Sequence, residues 1–199
     1  METTPKLLQF VDYEDARLRR AIQPIQFPLD KMEEQLIQNM LYSIQKEQLK
    51  EVDASWESAA GMAANQWGIN KRIFLYCPEG DSENNIEVII NPSYEPIPYE
   101  DLGVLYDDSW EACFSVPLCT GYVRRYTHIR VTYQNEKGEI ISRELSGWPA
   151  RVWQHENDHL DGMLYDCTHA GKCLEKKQFA SREEIEEFYT KVREARKKE

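Results

Sequence analysis

Long apolar runs and paired cysteines are both missing from this 199-residue sequence. No stretch approaches the roughly 18 apolar residues that a membrane-spanning helix needs, so we expect no membrane segment. The five cysteines are odd in number and include no C-x-x-C pair, which argues against a disulfide framework and predicts a reducing compartment. The N-terminal METTPKLLQF also lacks the apolar region of a signal peptide. We therefore expect a cytoplasmic protein, although an organelle protein without its presequence would look the same.

Positive charge is scarce as well. Lys and Arg number 24 against 35 Asp and Glu, which gives a net charge of −11. Such an acidic surface is a poor general binder of nucleic acid or anionic membranes, because those contacts need clustered Lys and Arg. We expect no specific DNA partner and no membrane partner. The length, with 41% hydrophobic and 30% charged residues, predicts one globular domain over residues 1–199.

Three helices are indicated by capping signals and apolar periodicity. The first begins near Asp30, because Glu33 three residues later completes a capping box. The second begins at Pro149, a favoured first-turn residue, and ends near Gly162. The third is a C-terminal helix over residues 182–199.

Between the helices, the sequence has the short β-rich runs typical of strands. A turn at 135–138 indicates a hairpin, and the proline-rich segment 91–121 predicts loops and edge strands. Helices and strands are segregated along the chain rather than alternating. We therefore predict a single α+β domain with mixed or antiparallel sheets around the second helix. The predicted strands are Arg72–Cys77, Ile86–Asn91, Tyr122–Tyr133 and Glu139–Leu145.

The strongest chemical signal is the run from His155 to His159, which has the pattern H-E-x-x-H. Residues i and i+4 share one face of a helix, so both imidazoles can reach one metal ion. Glu156 lies beside the first of them, where it can take a proton from water on the metal. A chance pair of histidines is the alternative interpretation.

The third protein ligand is left open by this pattern. Downstream candidates are Asp161, Asp166, His169 and the acids of the last helix, as in metalloproteases. Upstream, Cys113 lies in Glu111–Ser115 and could complete a Cys-His-His site with a fourth position for water. Taken alone, Cys113 is more typical of a buried thiol. A segment of small residues, Ser58–Gln66, is by itself typical of close packing.

Together the three segments resemble the motifs of the peptide deformylase family, in the same order and at similar spacing. The family pattern G-φ-G-φ-A-A-x-Q is similar to Ala59–Gln66, and E-G-C-L-S is similar to Glu111–Ser115. The pattern Q-H-E-x-D-H-L is matched in full by Gln154–Leu160. The resemblance extends from about Leu18 to Asp166.

The resemblance implies a metal-dependent hydrolase that removes the N-formyl group from the N-terminal formyl-methionine of new polypeptides and releases formate. Cys113, His155 and His159 would bind one divalent metal, Fe²⁺ in cells, with Ni²⁺ or Zn²⁺ also accepted. Glu156 would transfer the proton. The Gln66 side chain and the Phe114 backbone N–H would stabilise the oxyanion.

The resemblance also implies how partners are bound. A formyl-methionyl nascent peptide would lie extended along Ala60 and Gly61, and Val152 and Trp153 are candidate walls for the methionine pocket, with ordinary core packing as the alternative. The bases of the C-terminal helix could touch ribosomal RNA, as in some relatives, or could simply be solvated. Asp158 would pair with Arg125 to support the ligand helix.

The sequence departs from the family pattern at four positions, none of which removes a ligand or Glu156. The departures, which concern the motifs and the peptide groove, are Ala59, Ala112, Phe114 and Leu118. Three alternatives remain: a zinc metalloprotease, a non-enzymatic binder of N-termini and a structural metal site. The cysteines outside the motifs are expected to be unliganded thiols, namely Cys77, Cys119, Cys167 and Cys173.

Overall fold

The structure is a computed structural model that describes residues 4–52, 58–79, 85–165 and 172–196. Within these ranges, no helix is both long enough and apolar enough to cross a membrane. The helices are α1 (Lys31–Ser43), α2 (Lys46–Val52), α3 (Gly147–Leu160) and α4 (Arg182–Arg196). The strands are β1 (Gly61–Ala63), β2 (Ile73–Tyr76), β3 (Glu87–Pro96), β4 (Tyr106–Ala112), β5 (Cys119–Tyr126), β6 (His128–Gln134), β7 (Ile140–Ser146) and β8 (Cys173–Gln178).

The chain divides into two compact units, the first of which comprises Met1–Asp107 and Arg125–Leu164. Its five-stranded sheet has the order β1-β2-β3-β6-β7, and every neighbouring pair is antiparallel. Helix α3 packs on this sheet and contributes Trp153 to a core that also contains Phe74 and Tyr133. The strand β1 lies at one edge of this sheet, immediately before the segment that carries Gln66.

The second unit comprises Asp108–Arg124 and Tyr165–Glu199. It contains the three-stranded sheet β4-β5-β8, in which β8 is antiparallel to β5. Helix α4 packs through Phe188, whose ring centroid lies 4.9 Å from that of Trp110 and 5.3 Å from that of Phe179. The α+β class and the antiparallel sheets are as predicted, whereas a single domain over residues 1–199 stays a prediction.

The predicted helix boundaries hold with small shifts. The side chain of Asp30 accepts hydrogen bonds from Met32 and Glu33, and the Glu33 side chain accepts one from the Asp30 backbone, so the capping box is confirmed. The helix α3 begins at Gly147, two residues before the predicted Pro149. Proline fits the first turn without being its first residue, because the first four N–H groups of a helix have no intrahelical partner.

One strand prediction is wrong. The run predicted as one strand, Tyr122–Tyr133, is split between β5 and β6, which belong to different sheets. The strand β3 continues through Pro92 into the segment predicted as loops and edge strands, where it pairs with β6 alone, since its pairing with β2 covers only Glu87–Ile90. A register shift between Ile90 and Ser93, with φ of 50° at Asn91, lets the chain pass a residue that has no N–H to donate.

Candidate metal centre and its surroundings

Helix α3 presents two imidazoles on one face, as the H-E-x-x-H pattern predicts. The ring centroids of His155 and His159 lie 5.1 Å apart. His159 is buried, whereas His155 is partly exposed to solvent.

Cys113 joins the two histidines in one group of potential ligands. The ligand atoms of Cys113, His155 and His159 all lie within 4.8 Å of one another, and no other such group of three occurs among the described residues. One thiolate and two imidazoles suit Zn²⁺, Fe²⁺ or Ni²⁺ better than Mg²⁺ or Ca²⁺. Three protein ligands are also the usual number in catalytic sites, which keep a coordination position open.

Among the described residues, no downstream candidate for a third ligand joins this group. Asp161 is engaged elsewhere, since one carboxylate oxygen accepts from Arg72 at 2.8 Å and the other from Asn157 at 2.8 Å. Asp166 and His169 lie outside the described residues. Among the described candidates, the structure therefore favours Cys113.

Glu156, next to the first histidine, is buried and lies against the backbone of β1. A Cβ atom on Gly61 would stand 2.6 Å from Cγ and 2.7 Å from Oε1 of Glu156. Real Cβ contacts are essentially never this short, so the carboxylate occupies the space that any other residue at position 61 would fill. The glycine in the first motif thus makes room for the glutamate in the third.

Gln66 follows β1 in a short 3₁₀ helix, Ala64–Trp67, and is buried. Its Oε1 accepts a hydrogen bond from the Ala63 N–H at 2.8 Å. Since this bond fixes the carbonyl end of the side-chain amide, the Nε2 end is the one that can donate to a developing negative charge. Phe114 directly follows Cys113, in the turn after β4.

Ala60 and Gly61 lie at the edge of the five-stranded sheet. The backbone oxygen of Ala60 accepts from Cys77 N–H at 2.8 Å, and Gly61 is paired with Tyr76 of β2. Within the sheet of the first unit, β1 has a neighbouring strand on this side only. An edge strand of this kind can accept an extended peptide as an additional strand.

The candidate wall residues of the methionine pocket are packed in the core. Trp153 is fully buried, with its ring centroid 5.0 Å from that of Phe74 and 5.4 Å from those of Tyr76 and Tyr133. Val152 is also buried and belongs to the same core cluster. The structure therefore favours the core-packing interpretation of these two residues over that of a pocket wall.

Helix α3 is held by a buried ion pair. Asp158 accepts from Arg125, as predicted, and both side chains are nearly inaccessible to water. Tyr94 lies near this pair, and burial raises the pKa of its phenol above the usual range, so it remains neutral. Gln154 adds bonds to the backbone N–H and carbonyl of Tyr126, at 3.0 and 2.9 Å.

Asn65 and Arg72 contact the C-terminal end of α3, and neither residue was singled out from the sequence. The Asn65 side chain donates to the carbonyl of His159 at 2.6 Å, and Arg72 donates to Asp161. For Asn65, the only signal in the sequence was that a polar residue interrupts a run of small ones at the variable position of the first motif. Such a residue is equally typical of a turn.

Three of the cysteines form no disulfide, namely Cys77, Cys113 and Cys119. The prediction that Cys173 is a thiol is wrong for this structure, in which Cys173 is disulfide-bonded. The cysteine count and spacing carried no information on this bond, because pairing depends on the proximity that the fold creates. Cys167 lies outside the described residues.

Comparison with known proteins gives a consistent result. The family model of polypeptide deformylase matches residues 7–172. Peptide deformylase 2 of Ralstonia nicotianae is 35% identical over 158 residues, which cover 76% of this chain and 80% of that protein. A shorter match, to peptide deformylase 3 of Streptomyces avermitilis, is 38% identical over 116 residues and covers 53% of this chain and 50% of that protein.

Solved structures give the same relationship. The crystal structure of peptide deformylase from Thermotoga maritima is 31% identical to this chain and superposes with a TM-score of 0.64. The superposition covers 80% of this chain and 95% of the Thermotoga chain.

Proposed function

Because the chain belongs to the polypeptide deformylase family, we propose that Cys113, His155 and His159 hold the divalent metal on which the reaction of that family depends. The family removes N-formyl groups from nascent peptides, and this hydrolysis is the activity of this chain. The observation that carries the ligand assignment is the grouping of one thiol and two imidazoles within 4.8 Å.

The metal, when bound, supplies a Lewis acid that makes water acidic near neutral pH and polarises a carbonyl oxygen. Proton transfer is carried out by a residue of the chain. The Glu156 carboxylate accepts a proton from the attacking water and delivers it to the leaving amine nitrogen. Its burial against Gly61 holds the carboxylate in one place between these two transfers.

Gln66 and Phe114 stabilise the negative charge that develops on the formyl oxygen. The Nε2 group of Gln66 donates one hydrogen bond, since its Oε1 is held by the Ala63 N–H, and the Phe114 backbone N–H donates a second. Removal of one such donor typically lowers kcat by about 10²–10³-fold. The formyl carbon carries only hydrogen, so a narrow site can accept it and exclude acetyl.

The formyl-methionyl peptide binds by adding to the free edge of β1 along Ala60 and Gly61. The bond from Cys77 N–H to the Ala60 carbonyl fixes this segment to the sheet, so its edge is preorganised. Main-chain hydrogen bonds give affinity that does not depend on the identity of the peptide side chains, which suits an enzyme that processes many different nascent chains.

The metal in cells is Fe²⁺ in this proposal, and Ni²⁺ and Zn²⁺ also support turnover. The donor set of one thiolate and two imidazoles is compatible with all three ions. Metal analysis of protein purified without oxygen tests the proposal. A site filled with zinc alone, in active protein, would contradict it.

The bases of α4 make a transient contact with the ribosome, from which the substrates emerge. Lys191 supports this proposal, since its side chain is 76% exposed and its contact with Glu187 is long, at 4.0 Å. The working compartment is accordingly the one in which formylated chains are made, the cytoplasm. Cosedimentation of Lys191→Glu/Arg193→Glu protein with ribosomes should be weaker than that of the wild type, and equal cosedimentation would contradict the contact.

The activity is tested by formate release from a short formyl-methionyl peptide, with the acetyl-methionyl peptide of the same sequence as control. We expect turnover of the first and none of the second when the protein is loaded with Ni²⁺ or Fe²⁺. Equal turnover of both peptides would contradict the narrow formyl site. No turnover of either, with the metal in place, would contradict the activity.

A further inference from the structure

Asn65 connects two segments that are far apart in sequence and close in the site. Its Nδ2 donates to the backbone carbonyl of His159 at 2.6 Å, across a separation of 94 residues. Asn65 is fully buried. It directly precedes Gln66, whereas His159 lies in the last turn of α3.

The carbonyl that Asn65 contacts is one that the helix itself leaves open. The last four carbonyls of a helix have no intrahelical partner and take bonds from outside. The carbonyl of His159 accepts from Gly162 N–H at 3.0 Å and from Asn65 at 2.6 Å. The first bond is local, so Asn65 supplies the long-range anchor of this carbonyl.

We propose that Asn65 is a positioning residue that fixes Gln66, the oxyanion donor, relative to His159, a metal ligand. The inference rests on the proposed roles of Gln66 and His159. Asn65 acts on both residues through the main chain. Gln66 is the next residue along the chain, and His159 is contacted at its backbone carbonyl. A shift of this bond therefore moves the oxyanion donor and the metal against each other, and catalysis is sensitive to misplacements of about 1 Å.

Stability alone is a weak reason for an asparagine at this place. The Oδ1 of Asn65 is buried and has no hydrogen-bond partner among the described residues. A buried acceptor without a partner is unfavourable, and an apolar side chain of the same size would avoid it. The single bond to His159 is thus the feature that distinguishes asparagine from leucine here.

Asn157 offers a matched control. It is also buried, its Nδ2 also makes one bond, to Asp161 at 2.8 Å, and its Oδ1 also has no partner among the described residues. The two amides therefore have the same hydrogen-bond inventory. They differ in what they hold, since the partner of Asn157 is the carboxylate of Asp161 rather than the backbone of a metal ligand.

The test compares Asn65→Leu with Asn157→Leu in the full-length protein. The two variants are characterised by kcat and KM for formate release with saturating Ni²⁺, by Ni²⁺ affinity in competition with a chromophoric chelator, and by Tm. For Asn65→Leu we expect kcat to fall by roughly 10- to 100-fold with little change in KM. We also expect Ni²⁺ affinity to weaken by about tenfold. Asn157→Leu should lower Tm by a similar amount and leave kcat and Ni²⁺ affinity near wild type.

Two results would overturn the inference. One is an Asn65→Leu protein whose kcat and Ni²⁺ affinity both match those of Asn157→Leu. The other applies if Asn65→Leu does not fold: Asn65→Ser, whose hydroxyl is too short to reach the same carbonyl, would then have wild-type kcat and Ni²⁺ affinity. A wild type that releases no formate would refute the proposed function instead, and the Ni²⁺ affinities of the two variants would still decide the role of Asn65.

Discussion

The backbone of Gly61 and the side chain of Glu156 are in direct contact, with no room for a methyl group between them. A Cβ at position 61 would lie 2.6 Å from Cγ and 2.8 Å from Cδ of the glutamate. The edge strand that we propose to bind the peptide and the carboxylate that we propose to move the proton therefore share one surface. The strand and the carboxylate can lie this close together only because residue 61 has no side chain.

The contact predicts that Gly61→Ala impairs catalysis more than folding. The clash is with Cγ, Oε1 and Cδ of a side chain rather than with backbone, so the glutamate can rotate away from the new methyl group, but its carboxylate then leaves the position from which it transfers the proton. We expect kcat to fall by about 10²-fold or more, within the range typical of lost general acid–base catalysis. Bound Ni²⁺ should stay stoichiometric, because no ligand is touched. A variant with unchanged kcat would show that Glu156 does not need this position.

The metal site predicts different consequences for two cysteines. Cys113→Ser replaces the thiolate of the proposed site and should weaken metal affinity by more than the roughly 10- to 100-fold that follows loss of a ligand-orienting group. Cys119→Ser is the matched control, since Cys119 is a buried cysteine that forms no disulfide and lies outside the ligand group. Metal content after dialysis distinguishes them. Full metal retention in Cys113→Ser would point to a ligand other than Cys113.

Metal binding should also stabilise the fold. A ligand that binds only the native state contributes RT ln(1 + [L]/Kd), which is about 2.7 kcal/mol at a hundredfold excess over Kd. Thermal unfolding of the wild-type apoprotein should therefore shift to higher Tm as Ni²⁺ is added. The Cys113→Ser protein should show a much smaller shift over the same concentrations, and an equal shift in both would contradict the ligand assignment.

The buried pair of Arg125 and Asp158 predicts a large, repairable loss of stability. Arg125→Met leaves the Asp158 carboxylate buried without its cation, and loss of one partner of a buried pair typically costs about 3–5 kcal/mol. Denaturant unfolding measures this difference. The double variant Arg125→Met/Asp158→Leu should recover much of it, because no unpaired charge remains. A double variant as unstable as Arg125→Met alone would contradict this explanation.

Local signals in the sequence predicted those parts of the structure that depend on neighbours along the chain. The capping box of Asp30 and Glu33 and the pairing of His155 with His159 on one helix face depend only on residues three or four apart. The grouping of Cys113 with these histidines came from resemblance to a family, since no local rule connects positions 42 residues apart.

Long-range packing explains what the sequence did not reveal. The run Tyr122–Tyr133 has the composition of one strand, and its division between two sheets depends on which strands pair with each half. Trp153 lies only two residues before His155 in the sequence, yet its ring packs against aromatic side chains of the sheet. Asn65 acquires its significance only from a carbonyl 94 residues away.

The role of Glu156 in proton transfer is tested most directly by Glu156→Gln, which keeps the size and shape of the side chain but cannot accept the proton. Wild type and variant are loaded with Ni²⁺, their metal content is verified, and formate release from a formyl-methionyl peptide is measured. We expect rapid turnover by the wild type and a fall in kcat of about 10²–10⁴-fold in the variant, with the metal retained. A metal-replete variant that releases formate as fast as the wild type would contradict this role of Glu156.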